Sequence, residues 1–200
     1  MQETDPTSER IAELLVHIGC AARGETPSSD LTAAQWTCLR FFARANASTR
    51  TPSAFASFHA TTRGTASQII KTLEQRGLLS RRRSEHDGRS VCLDVTDRGQ
   101  ALLARDPLLD LVSALDNLGP ANREMLRLSL ARVAHAIAEI RATPSFGTCL
   151  DCSHFTPSGA ASACACLSMR LSADQIGQLC QNYGGAGTSG VPVSKDTPIP

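Results

Sequence analysis

Between Thr62 and Val95 the hydrophobic period changes once, and that change restricts the fold more than any other feature of the chain. Ala66, Ile69, Ile70 and Leu73 recur at helical spacing, which buries one face of a helix. Thr62 is placed to cap that helix, which runs to about Arg76, and Gly77 ends it as a glycine just past a helix commonly does. Strand-like stretches follow from Leu78 to Arg83 and from Ser90 to Val95, with Val91, Leu93 and Val95 alternating against Ser90, Cys92 and Asp94. Between them lie Glu85, His86, Asp87, Gly88 and Arg89, a hairpin turn in which Asp-Gly tolerates positive φ.

The flanking sequence is helical. Ile11, Leu14, Leu15 and Ile18 define an amphipathic helix from about Ser8 to Ala22, broken by Gly24 and Pro27. Asp30 is a candidate N-cap for a second helix through about Ala45, with Leu31, Ala34, Cys38, Leu39 and Phe42 inward. A short third helix fits Pro52 to Phe58, with proline at its first position. Thr96 starts a long helical region through about Asn117, which Pro107 is expected to kink. After Gly119-Pro120 a last long helix reaches about Ala142, with Met125, Leu128, Val133, Ile137 and Ile140 on its apolar face.

The fold class expected is therefore mainly α with a small β-hairpin wing: a winged helix-turn-helix with long dimerisation helices. The expected divisions are 1–30, an N-terminal dimerisation helix; 31–98, a DNA-binding lobe; and 99–144, C-terminal dimerisation helices. A cysteine-rich module at 145–183 and a disordered tail at 184–200 complete the chain.

A net charge of +1 over 200 residues does not by itself point to nucleic acid, so distribution decides. From Thr61 to Arg98, Arg63, Lys71, Arg76, Arg81, Arg82, Arg83, Arg89 and Arg98 stand against Glu74, Glu85, Asp87, Asp94 and Asp97. The helix capped by Thr62 turns Arg63, Ser67, Gln68, Lys71 and Thr72 outward, donors and acceptors of the kind that read base edges and phosphates, and its N-terminus favours a phosphate. The plain alternative is a core helix with a solvated face and a solubilising arginine run.

The residues also carry a resemblance. Leu31 to Trp36, Thr62 to Ser67 (with Thr65), Leu73 to Leu78, and Asp87 to Gly99 form an ordered set that resembles the MarR family over roughly Glu9 to Arg141. The resemblance implies a homodimer whose end helices intertwine, a recognition helix in each of two major grooves, and an inverted-repeat operator on double-stranded DNA. It also implies a wing in which Arg89 enters or lines the minor groove while Asp87 orients a basic neighbour. His59, Thr61, Cys92 and Pro107 depart from the family pattern.

No run of about 18 apolar residues spans a bilayer and the start lacks a signal peptide's basic and apolar segments, so a cytoplasmic protein without a membrane partner is expected. Structural disulfides are rare in that compartment, and the eight cysteines need another explanation. Cys20 and Cys38 fall on apolar helix stripes and read as small core residues, whereas alternation puts Cys92 on the outward face of the wing.

Cys149, Cys152, Cys164 and Cys180 supply the four thiolates that an iron–sulfur cluster or a structural zinc requires, with Cys166 as the alternative to Cys164. A segment this short has too little apolar content for a core of its own, and a metal centre would supply the folding energy. Cys149-x2-Cys152-x2-Phe155, then Cys164, then Cys180-x2-Tyr183 resembles small four-cysteine modules that wrap a [4Fe–4S] cluster in apolar and aromatic surroundings; this resemblance favours iron–sulfur over zinc, and Cys164 over Cys166. His154 reads as a solvated or neighbouring side chain rather than a ligand.

The expected function is a DNA-binding regulator, a repressor by preference, whose operator affinity follows the state of that centre. The alternative is a regulator that answers a small organic ligand and uses zinc as a structural clip. A catalytic dithiol at Cys149 and Cys152 is disfavoured because no strand precedes and no helix follows the pair, so no enzyme is expected.

Overall fold

The computed structural model describes residues 5–22, 30–83, 91–158 and 162–185. Helices α1 (Pro6–Ala21), α2 (Ala33–Arg44), α3 (Pro52–Phe58) and α4 (Arg63–Gln75) precede an antiparallel ribbon of β1 (Leu79–Arg83) and β2 (Val91–Val95). Helices α5 (Asp97–Leu103), α6 (Leu108–Asp116) and α7 (Pro120–Ile140) follow. The three-stranded antiparallel sheet β3 (Phe155–Thr156), β4 (Ser162–Cys164), β5 (Met169–Leu171) and helix α8 (Ala173–Ile176) come last. The chain forms two compact units: Met1–Ala43 with Arg50–Arg127, and Arg44–Thr49 with Leu128–Pro200.

In the first unit the core is aromatic and aliphatic. Phe41, Phe42, Phe55, Leu39, Ile70, Leu73 and Leu93 are fully buried, and the Phe41 and Phe42 rings meet edge to face at 5.1 Å. Threonines cap α3, α4 and α5: the hydroxyls of Thr51, Thr62 and Thr96 accept from the backbone N–H groups of Ala54, Thr65 and Gly99. Gly77 closes α4 at φ +68°, the left-handed value that the sequence anticipates there.

Four sequence expectations need correction. The second helix is capped by Thr32, not Asp30: Thr32 Oγ1 accepts from the Gln35 N–H at 3.3 Å and Gln35 Oε1 accepts from the Thr32 N–H at 3.1 Å, a reciprocal box that starts the helix later. Pro107 separates two helices instead of kinking one, because Asp106 Oδ1 accepts the Leu108 N–H at 2.8 Å and starts a new turn. Cys92 is buried. Its neighbour Leu93 is buried as well, so β2 is covered on both faces at this point and alternation does not sort its residues into inward and outward. Cys20, conversely, is exposed, as is nearly all of α1, while Cys38 is buried and its thiol pKa is pushed well up by desolvation.

In the second unit, α7 ends with Ala142 at φ +49° and Thr143 N–H bonding back to the Ala138 carbonyl at 2.9 Å, a left-handed stop without glycine. Residues 44–49, which follow α2 and precede α3 in the chain, pair with the segment around Leu179: the Leu179 N–H donates to the Arg44 carbonyl at 2.8 Å and the Asn46 N–H to the Leu179 carbonyl at 2.9 Å.

Candidate nucleic-acid interface and cysteine centre

Helix α4 presents two distinct faces. Ala66, Ile70 and Leu73 are buried, while Arg63, Thr65, Ser67, Gln68 and Lys71 are exposed. Among the described residues no ion pair engages Arg63 or Lys71, so both cations are available to an external anion. Thr62 holds the helix start twice: its Oγ1 accepts the Thr65 N–H at 3.1 Å and lies 3.0 Å from the Thr65 hydroxyl. The predicted outward set therefore shares one surface, with its first turn rigidly capped.

The three consecutive arginines of β1 are not equivalent. Arg81 Nε donates to Glu74 Oε1 at 2.5 Å, a bond that raises the Arg81 pKa further, and Arg82 pairs with Asp94. Arg83 is exposed and makes no ion pair among the described residues. Asp94 also takes Arg50 Nη1 at 2.9 Å, and the Arg50 carbonyl accepts the Leu93 N–H at 2.9 Å. Arg50, Glu74 and Asp94 are thus structural partners of the ribbon. The sequence reading missed Arg50 and counted the two acids only as offsets of local charge, although the position of Asp94 on the polar alternation of β2 was a usable signal. Asp87 and Arg89 lie outside the described residues.

An open cleft of about 200 Å3 in the first unit is lined by Asp30, Arg76, Leu78, Arg98, Leu102 and Arg105, with Ala101 at its edge. That is smaller than the roughly 300–1,000 Å3 of ordinary small-molecule sites.

In the second unit, Cys149 opens a short 3₁₀ turn (Cys149–Asp151), and the Cys152 N–H donates back to its carbonyl at 3.2 Å. Cys164 ends β4 opposite Phe155 and Met169, and Cys180 exchanges both backbone bonds with Gly147. Cys149, Cys164 and Cys180 are buried, Cys152 is half-buried, and Cys166 is exposed. Burial pushes the Cys149 thiol up to about 11, and the neighbouring Cys180, Cys152 and Cys164 add to that rise. The Cys180 thiol is also raised, first by burial and then by Cys152 and Cys164, against hydrogen bonds from the Asn182 backbone and the Asn46 side chain. Cys149 and Cys180 thus lie near each other and near Cys152 and Cys164. Among the described residues no three His, Cys, Asp or Glu side chains stand as they would around a single metal ion.

Tyr183 and Gly184 pack onto the segments that carry these cysteines. Tyr183 Oη donates to the Asp151 carbonyl at 3.1 Å, and its ring lies against Gly147, where a Cβ would come within 2.6 Å of ring carbons. The Gly184 N–H points to Cys152 Sγ at 3.5 Å. His154 is half-buried, and its carbonyl accepts the Ala165 N–H at 2.8 Å.

A short helix, a capped helix with a polar outer face and a two-stranded ribbon in direct succession define a winged helix-turn-helix. Residues 29–90, the stretch that holds α2, α3, α4 and β1, match the MarR family. Among solved structures, it is similar to the transcriptional repressor CouR bound to a 23-mer DNA duplex, with 27% identity over 67% of this chain and 99% of that one at a TM-score of 0.50. It shares its fold with S. aureus MepR in the DNA-binding conformation, with 18% identity over 66% of this chain and 99% of that one at a TM-score of 0.54. No curated protein matches the sequence. No helix among the described residues is long and apolar enough to cross a membrane.

Proposed function

We propose that the chain works as a homodimeric, cytoplasmic repressor that binds an inverted-repeat operator in double-stranded DNA, with an affinity set by a centre held on Cys149, Cys152, Cys164 and Cys180. The observation that carries the DNA reading is the outer face of α4, where Arg63, Ser67, Gln68 and Lys71 stand exposed over a fully buried stripe. Side chains at the start of such a helix meet base edges and phosphates when it enters a major groove, and the exposed Arg83 extends the contact along β1.

The homodimer rests on exposed apolar helix faces. In α1, Ile11, Leu14, Leu15, Val16 and Ile18 are exposed, and in α7 so are Met125, Leu128, Val133, Ile137 and Ile140. Continuous apolar stripes of this kind mark association surfaces. A two-fold dimer presents two α4 helices to two half-sites.

Burial and mutual proximity support four thiolate ligands and favour Cys164 over the exposed Cys166. The flanking Phe155 and Tyr183 favour an iron–sulfur cluster; structural zinc on the same four sulfurs, the alternative, would need them to close up around one ion. When bound, a cluster adds a redox-sensitive group whose loss alters the ligand segments. The residues of the chain hold the thiols in register, pack the ring of Tyr183 over the first knuckle and aim the Gly184 N–H at a ligand sulfur.

The deciding experiment purifies the protein without oxygen, measures iron, sulfide and zinc per chain, and titrates the metal-loaded and metal-free forms against a duplex selected from a random pool. Binding of the selected duplex by the loaded form with equal affinity after metal removal would overturn the regulatory role of the centre. Failure of Arg63, Gln68 and Lys71 substitutions to change affinity or preference would overturn the interface.

A further inference from the structure

Three arginines and two leucines meet where α4 ends and α5 begins. Arg76, Arg98 and Arg105 line the open cleft of about 200 Å3 in the first unit, around the buried Leu78 and Leu102. Arg98, Ala101, Leu102 and Arg105 follow one another at i, i+3, i+4 and i+7, so α5 and the turn after it give one face to the cleft, with a cation at each end and apolar side chains between. Seven residues at about 1.5 Å each root Arg98 and Arg105 about 10 Å apart.

The junction is fixed in the absence of any ligand. Thr96 Oγ1 donates to the Gly77 carbonyl at 2.7 Å, and the Thr96 N–H donates to the Leu78 carbonyl at 3.1 Å. Gly99 packs so closely on that turn that a Cβ would lie 2.5 Å from the Leu78 carbonyl oxygen. Arg76 Nη1 donates to the Asp30 carbonyl at 2.6 Å, which holds one guanidinium in place. A Cβ on Gly77 would lie 4.0 Å from Arg98 Nη1, so a second guanidinium stands beside the left-handed stop of α4.

Charge in this cleft is unbalanced. Its lining holds three guanidiniums and one carboxylate, that of Asp30. Arg98 and Arg105 are exposed and make no ion pair among the described residues. Cations beside Gly77 offset the partial negative charge at the end of α4, but neither Arg105, two turns further along, nor the apolar floor serves that purpose. A concave surface of one sign draws ions of the other, and a guanidinium fork matches a carboxylate with two parallel bonds.

We infer that this cleft binds a short-chain dicarboxylate of the glutarate class, with one carboxylate between Arg76 and Arg98, the other on Arg105, and the methylene chain on Leu78 and Leu102. The separation of the two roots, less about 3 Å of hydrogen bond at each end, leaves the length of a few methylenes between the carboxylates. A monocarboxylate or inorganic phosphate engages one end only, and the small volume excludes ligands of drug size. The site is independent of the cysteine centre and of the outer face of α4.

The test is isothermal titration of the full-length chain at neutral pH and low salt with glutarate, butyrate and inorganic phosphate. Wild type should take up one glutarate per chain and bind butyrate and phosphate at least about tenfold more weakly. Arg98→Gln and Arg105→Gln should each weaken glutarate about tenfold or more, the effect of one lost hydrogen bond to a charged group. Both side chains are exposed, so the variants keep the fold, which circular dichroism checks. Arg132→Gln removes the same charge from an exposed position of α7 and should bind glutarate as wild type does.

Absence of saturable glutarate binding in wild type overturns the inference. So does equal affinity for butyrate or phosphate, or a loss confined to one of the two cleft variants, because either leaves a single anchor. Equal weakening in Arg132→Gln reduces the effect to overall charge and also overturns it. If glutarate fails to bind while Arg98→Gln and Arg105→Gln both lower duplex affinity and its salt slope, the cleft belongs to the DNA backbone and the inference falls.

Discussion

Arg40 grips Asp106 with two parallel bonds, Nε to Oδ2 at 2.7 Å and Nη2 to Oδ1 at 2.5 Å, and both side chains are largely shielded from water. The same carboxylate accepts the Leu108 N–H and so begins α6, while the Arg40 guanidinium lies 5.5 Å from the Trp36 ring centre. One pair therefore ties α2 to the break between α5 and α6.

Arg40→Ala should lower stability by about 3–5 kcal/mol, because it leaves a buried carboxylate with a single backbone donor. Arg40→Ala combined with Asp106→Asn should recover part of that loss by removing the unpaired charge. Urea unfolding followed by circular dichroism measures both. Equal midpoints for wild type and Arg40→Ala would show that the pair contributes nothing.

The basic run of the ribbon should behave as three different residues. Arg83→Ala and Lys71→Ala each remove a cation that is unpaired among the described residues. Each should therefore weaken binding to all duplexes alike and lower the salt slope by about one. Arg81→Ala removes a cation already committed to Glu74, so its effect on the slope should be much smaller. Fluorescence anisotropy across a salt series separates the cases. Identical slopes for Arg81→Ala and Arg83→Ala would contradict the distinction.

The difference among those arginines marks where sequence reasoning stops. Caps and periods are local, and so Pro52–Phe58, the Thr62 cap and the Gly77 stop were all legible in the chain. Partners distant in sequence are not. Nothing local says that Arg82 reaches Asp94, or that Arg40 finds Asp106. Spacing singled out a cluster of cysteines near the end of the chain, but that Cys164 is buried and Cys166 exposed depends on the pairing of β4 with β3 and β5, which spacing does not carry. The pairing of residues 44–49 with the segment around Leu179 carried no signal at all, since its two sides lie far apart along the chain.

The apolar faces of α1 and α7 give a direct test of association. Leu14→Glu and Ile137→Glu each place a charge in an exposed apolar stripe, where a monomer would tolerate it and a buried interface would not. Sedimentation should show wild type as a dimer and both variants shifted towards monomer at micromolar concentration. Operator affinity should fall in parallel, because one half-site no longer helps to hold the other. A wild-type monomer in the presence of duplex would rule out this assignment.

The last prediction concerns the floor beneath Tyr183. Gly147 is not required for its backbone angle; it is required for space, because a Cβ there would lie 2.6 Å from two ring carbons of Tyr183. That approach is closer than any real contact, and the ring cannot retreat freely while its hydroxyl is bonded to the Asp151 carbonyl between Cys149 and Cys152. Gly147 also exchanges two backbone bonds with Cys180, so a displaced Gly147 moves a third thiol. Gly147→Ala should therefore lower metal content and speed the loss of metal to a chelator, while α2 to α5 keep their helical signal. Tyr183→Phe is the informative partner: it keeps the ring and loses only the hydroxyl bond, worth about 1 kcal/mol. It should retain metal and release it somewhat faster than wild type. The double variant Gly147→Ala with Tyr183→Leu should regain metal if ring crowding is the cause of the loss. Full metal content and unchanged release in Gly147→Ala would show that the packing of Tyr183 does not hold the centre.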